Sequence, residues 1–315
     1  MGAGKDLEKL WAAVYADPDD DAPRLVLADA LMEVGDPRGE LIALQLRPKR
    51  SASQLKRERH LRAAHGRAWL GPLAAILRHD YAFERGFLAK CRIRASAATA
   101  LTQAADLRWT TVRELGDAPA ALAVQATMRS LRVLSVPYDH DGRDDGWHEL
   151  LVGAQRHLEV LDTYGVVDTA AERWTAEFAD ASALPRLRVL VLRGRAMRQW
   201  PRLFAAPIAR RLEALELHDV DRPQLSALAP AIRSPPPRLV VAMSDVLLTL
   251  ECDRAMLAID SSNGIPIHPT WDESVADSVC ALLALLPRCK LELALGTSLD
   301  RAATRRIRAA ARAHG

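Results

Sequence analysis

A leucine phrase returns four times through the middle of this chain. It reads Leu131-Arg-Val-Leu134-Ser-Val136, Leu158-Glu-Val-Leu161, Leu187-Arg-Val-Leu190-Val-Leu192 and Leu212-Glu-Ala-Leu215-Glu-Leu217, with starts 27, 29 and 25 residues apart. A short strand pattern with that period cannot bury its apolar side alone, so the copies must stack and their strands must line up into a long open sheet. The expected fold is therefore α/β, an open solenoid, and such a sheet is first of all a surface for binding.

The pattern extends beyond the four clear copies. Val112-Arg-Glu-Leu115 reads as an incomplete first copy and Arg238-Leu-Val-Val-Ala-Met243 as a weaker last one, while 256–259 and 291–295 read as degraded or capping units. Residues 83–93 alternate enough to be one strand opening the array, with Gly86 at a bulge or close approach. Pro235-Pro236-Pro237 reads as a rigid loop between two turns of the array. The phrase LxxLxL, with a helical segment such as 174–178 or 203–208 between strands, resembles the leucine-rich repeats of the long, helix-containing type. The resemblance covers 107–250, with a weaker continuation to 300. It departs from the usual Asn after the strand, where this chain has Asp139 or Asp219 in two copies and Gly165 or Gly194 in others.

Residues 7–46 follow a different grammar. Leu7, Leu10, Trp11 and Val14 fall at helical spacing, and Asp17-Pro18-Asp19-Asp20-Asp21 breaks the chain and supplies capping oxygens. Leu25, Val26, Ala28, Asp29 and Leu31 carry a second helix toward Gly35, a terminator, and Asp36-Pro37 starts a third, whose stripe is Leu41, Ile42, Leu44 and Leu46. This order, from Ala16 to Gln45 and including Arg24-Leu25-Val26, Ala28-Asp29 and Gly35-Asp36-Pro37-Arg38-Gly39-Glu40, resembles the repeat-companion domain of bacteria, a short helical unit that accompanies repeat arrays. Leu27 and Ala30 stand where that family usually has an aromatic pair, and the family brings no established chemistry. Asp19, Asp20, Asp21, Asp29, Arg24, Arg38 and Glu40 could form a docking patch or metal site; helix caps and interhelical ion pairs are the simpler reading, since Asp beside Pro at a helix start already satisfies open N–H groups.

The expected organisation is a helical module with a basic join over 1–78, the solenoid with degenerate end units over 79–300, and a basic helix or tail over 301–315. Within the array, alternation sends the leucines into the core and the third, fifth and seventh positions of each phrase onto the concave sheet. Ser135, Asp162, Tyr164, Val191, Arg193, Glu216 and His218 are the partner-facing candidates on that basis, a mixture that suits a protein or peptide, since Tyr and Arg often anchor interfaces. The same valine-rich face could instead be covered by another element. Asp162 and Glu216 would oppose a phosphate backbone.

A nucleic-acid-associated accessory role is the alternative. Arg47, Lys49, Arg50, Lys56, Arg57, Arg59, Arg62 and Arg67 crowd one segment against Glu58 alone, and Arg301, Arg305, Arg306, Arg308 and Arg312 lie near the end of the sequence. Cations at that density could neutralise phosphates with steep salt dependence; they also suit a solvated helix face whose long stems cover apolar neighbours, with Leu55 and Leu61 turned toward the array. The net charge of +3 is too small for the whole molecule to be steered to a polyanion.

Catalytic signatures are missing: there is no phosphate-cradling Gly-rich loop, no nucleophile elbow and no zinc-protease helix. Asp139-His140-Asp141 reads as a polar turn ahead of a metal or acid–base site, and His268 with Asp272 beside Trp271 as a packed loop. Cys91, Cys252, Cys280 and Cys289 have neither redox nor zinc-ligand spacing and are expected as reduced thiols. With no apolar run of about 20 residues and no signal-like start, the expectation is a soluble cytoplasmic, noncatalytic protein without cofactor, metal or membrane partner.

Overall fold

The computed structural model describes residues 2–137, 149–151, 157–166, 184–194, 200–243, 246–251, 254–259, 271–286, 288–295 and 299–314. Two compact units divide the chain, one made of Met1–Val136 with Asp144–Leu150 and the other of Pro137–Arg143 with Leu151–Gly315. Residue 78, the expected domain boundary, lies inside the first unit, because the helical module and the first strands share one core.

The first unit starts with four helices, α1 (Gly2–Ala16), α2 (Ala22–Glu33), α3 (Pro37–Gln45) and α4 (Ala52–Trp69). Asp20 accepts from the Ala22 N–H, and Asp36 accepts from the Arg38 N–H with Pro37 in the first turn of α3, so the expected caps form. Gly35 ends α2 at φ +75°. Ser51 and Gln54 close a capping box at the start of α4. Helix α2 turns Leu27, Ala28 and Leu31 inward, against Val14, Ile42 and Phe87. Leu25 and Val26 point the other way and are 53% and 55% exposed.

Strand β1 (Ala82–Glu84) and strand β2 (Phe87–Arg92) form an antiparallel hairpin, in place of the single bulged strand expected over 83–93. Arg85 and Gly86 both adopt positive φ, +53° and +81°, the combination a two-residue type I′ turn requires. Parallel pairing then joins β2 to β3 (Glu114–Gly116) and β3 to β4 (Val133–Pro137). Two short helices, α5 (Ala97–Leu101) and α6 (Ala120–Ala123), lie between these strands in sequence.

In the second unit the parallel run is β5 (Val160–Val166), β6 (Val189–Gly194), β7 (Ala214–His218) and β8 (Arg238–Ala242). Corresponding positions of the leucine phrase are hydrogen-bonded neighbours: Leu161 pairs with Leu190, Leu190 with Leu215 and Leu215 with Leu239. All four are buried. The parallel run then ends. Strand β9 (Val246–Glu251) is antiparallel to both β8 and β10 (Arg254–Ile259), and β11 (Lys290–Ala294) returns parallel to β10. The expectation of degraded units over 256–259 thus resolves into a meander.

Helices α7 (Trp200–Ala205), α8 (Leu225–Arg233), α9 (Trp271–Leu285) and α10 (Arg301–His314) complete this unit. Leu228 and Ile232 of α8 and Val279, Leu282 and Leu283 of α9 are buried. The three prolines at 235–237 link α8 to β8 as a loop. Expected features at 139–141, 174–178, 263–266, Cys252 and His268 lie outside the described residues, as do the side chains of Trp271 and Asp272. The architecture is α/β, with open, mostly parallel sheets, and no helix among the described residues is long and apolar enough to cross a membrane.

Candidate recognition surface

Alternation along β5, β7 and β10 buries one face and leaves the other partly open, whereas on β6, β8 and β9 the residues Val191, Val240 and Thr249 of that other face are buried too. On β7, Leu215 and Leu217 are buried while Glu216 and His218 are half-buried. Interstrand register carries this across the sheet. Tyr164, Arg193 and His218 occupy one row, each paired with the next, and Asp162, Val191 and Glu216 occupy the row beside it. Six of the seven expected partner-facing residues therefore share one face of one unit. Ser135 lies on β4 of the first unit, half-buried.

The charged members of this face pair diagonally across strands. Arg193 donates from Nε to Asp162 at 3.0 Å, and Glu216 accepts from Arg238 at 2.9 Å while His218 Nε2 stands 3.4 Å away. Opposite charges two positions apart on neighbouring strands lie within reach of long side chains, so the ladder holds these polar groups in fixed positions. Val191 is buried despite its place in the row, its short side chain lying between Asp162 and Glu216. Its expected role as a contact gives way to that of a spacer.

The second row continues from Glu216 through Val240 and Thr249 to Met256 and Glu292. Leu247, paired with Ala242 and Ala258, belongs to the adjoining row. Met256 is 43% and Leu247 38% exposed, and a border of charges runs beside them, with Arg238 to Glu251 at 3.4 Å and Arg254 to Glu292 at 3.7 Å. Sequence reasoning did not select this apolar patch, because the leucine phrase is absent from β9. The usable signal was the alternation Leu248-Thr-Leu-Glu251, whose phase, carried back one residue, puts Leu247 on the side of Thr249 and Glu251.

The acidic cluster of the N-terminal module is spent on internal contacts. Asp19 bridges Arg113 at 2.6 Å, Arg85 at 3.7 Å and Arg132 at 3.7 Å, fastening the loop before α2 to the strands. Desolvation pushes the Asp19 carboxyl up, but the charge and hydrogen bond of Arg113, helped by Arg132 and Arg85, hold it below the ordinary carboxylate range. Asp21 accepts from Arg85 at 2.9 Å, and Glu40 pairs with Arg57 at 2.6 Å.

Two arginines of the module are core residues. Arg24, 1% exposed, donates to the carbonyls of Pro18 and Asp20 and lies 5.1 Å from the Phe87 ring. Arg38 donates from Nε to the Gly86 carbonyl at 3.0 Å and stacks over Trp11 at 4.5 Å and Phe87 at 4.9 Å. Burial lowers each guanidinium to about 10, which leaves both charged at neutral pH. Gln45 completes the fastening, donating to the Phe83 carbonyl and accepting from the Gly86 N–H. These contacts favour caps and ion pairs over a metal site; among the described residues no group of three or more His, Cys, Asp or Glu is arranged to hold a metal ion.

The basic segment splits. Arg50 and Arg62 pair with Glu58, and Arg57 with Glu40. Arg47, Lys49, Lys56, Arg59 and Arg67 are exposed. Only Leu61 of the two expected apolar contacts is buried, Leu55 being exposed. Comparison with protein-family models, curated proteins and solved structures finds no match for this chain.

Proposed function

We propose that this chain is a noncatalytic, cytoplasmic recognition scaffold of the leucine-rich-repeat kind, carrying a repeat-companion module of bacterial type, and that the open face of its second unit binds a protein or peptide. The observation that carries the reading is the aligned row of Tyr164, Arg193 and His218 above a fully buried leucine layer. Tyr and Arg combine large contact area with directional hydrogen bonds, and residues of this kind supply most binding energy at protein interfaces. The exposed Leu247 and Met256 add an apolar centre beside the charged border. A peptide with alternating charge and one apolar side matches this pattern.

Site-directed photocrosslinking tests the assignment. A photoreactive amino acid at position 193 should trap one discrete partner in the host, while the same group at position 25, on the exposed side of α2, should not. Equal trapping from both positions, or trapping from position 25 alone, would move recognition to the helical module.

A further inference from the structure

Helix α10 holds the most one-sided charge of the described structure. Its sequence, RAATRRIRAAARAH, contains no Asp or Glu. Ala303 and Ile307 are buried, and Arg306, beside that buried stripe, bridges Asp277 at 2.5 Å. Asp277 also receives Arg222 at 2.7 Å, and these hydrogen bonds hold its carboxyl below the ordinary range. Asp300 is used as the helix cap, accepting from the Ala303 N–H.

The remaining arginines form a line. Arg301, Arg305, Arg308 and Arg312 follow the spacing i, i+4, i+7, i+11, which places them along one side of the helix over about 16 Å. All four are exposed, and none has a carboxylate partner among the described residues. Like charges at this spacing repel by about 0.2–0.5 kcal/mol per pair. The helix dipole favours Arg312 in the last turn, but among the described residues no carboxylate relieves the repulsion within the stripe, and an external anion would.

We infer that the Arg301, Arg305, Arg308 and Arg312 stripe of α10 binds the phosphate backbone of double-stranded nucleic acid. Three observations select this occupant. The cations are all arginine, whose planar fork takes phosphate oxygens two at a time. Spread over roughly 16 Å on long flexible stems, the four forks can each reach a phosphate of the duplex, on one strand or across a groove. The apolar side of α10 is already buried through Ala303 and Ile307, and the helix exposes no large apolar residue, so it has nothing to insert into a bilayer. Contacts to phosphate oxygens carry no sequence information, so binding through the backbone is sequence-independent. This site is separate in kind from the sheet face, where acidic side chains stand among the cations.

The test is fluorescence anisotropy of a labelled random-sequence DNA duplex with the full chain, repeated across salt. Four phosphate contacts predict a log–log slope near −3.6, so that affinity falls about 100-fold between about 50 and 200 mM salt. The quadruple variant R301Q/R305Q/R308Q/R312Q should lose most of that slope while keeping the wild-type circular dichroism and Tm, and R308Q alone should lower it by about 1. A quadruple variant that binds the duplex with the wild-type slope overturns the inference. So does a wild-type chain that leaves the duplex unbound at about 50 mM salt yet sediments with phosphatidylserine vesicles.

Discussion

Asp19 and Arg113 are 94 positions apart in sequence and meet at 2.6 Å. One belongs to the loop between α1 and α2, the other to the segment just before β3. With Arg132 and Arg85 converging on the same carboxylate, this loop is tied to three points of the strand region. The module is therefore fastened to the first strands by charge as well as by the Phe87 core.

A pH dependence follows from the sign of the Asp19 shift. Its folded carboxyl titrates below the ordinary value near 3.9. A depressed acid contributes its full stabilisation above the unfolded value and loses it as pH falls through the folded one. Because the side chain is largely exposed, the contribution at neutral pH is about 0.5–1 kcal/mol. Urea midpoints of Asp19→Asn should lie below wild type at pH 7 and converge on it below about pH 4.

Arg38 is the more costly residue to remove. Truncation to Ala strips two ring contacts and leaves the buried Gly86 carbonyl without its donor, a loss of about 2–4 kcal/mol. Arg38→Lys should recover only part of it, since an ammonium on a flexible stem cannot stack as a planar guanidinium does. Urea unfolding followed by tryptophan fluorescence, with Trp11 and Trp69 as neighbours of the site, measures both.

Two glycines at similar backbone angles should respond differently to alanine. At Gly35, φ +75°, an added Cβ meets nothing within 4 Å, so only backbone strain is expected, about 1 kcal/mol. At Gly86, φ +81°, the Cβ would overlap the Ile42 side chain in the module core, adding over-packing to strain for a total of about 2–5 kcal/mol. Thermal denaturation should rank Gly86→Ala well below Gly35→Ala.

The open sheet face should tolerate substitution. The Arg193–Asp162 pair is partly exposed, and pairs of that kind contribute about 0–1 kcal/mol. Calorimetry should therefore find Arg193→Ala within a few degrees of the wild-type Tm.

The leucine phrase made the buried layer legible because burial on a strand has a fixed period. Leu134, Leu161, Leu190 and Leu215 are all buried, as period-2 alternation requires, and their immediate neighbours in each strand face the other way. The helix start at Pro37 was marked by Asp36 and the proline itself, whose capping chemistry is local. What stayed hidden depends on long-range pairing. No local signal connects Asp19 with Arg113, or makes Arg24 and Arg38 core residues, because arginine is ordinarily exposed and only the Phe87 hairpin turns them inward. The same holds for the face of α2: its apolar residues lie on both sides, so Leu25 and Val26 could not be separated from Leu27 and Leu31 until the core was assembled. The antiparallel meander of β8, β9 and β10 was equally illegible, since strand direction is set by connection geometry and not by composition.

The open sheet face of the second unit is the proposed site of protein recognition. Affinity capture from host lysate with wild type beside a folded Tyr164→Ala/Arg193→Ala variant, and beside Leu25→Ser/Val26→Ser on the outer side of α2, tests it directly. One protein should be retained by wild type and by the α2 variant and lost by the sheet variant; the same protein recovered in full by the sheet variant would rule out recognition by this face.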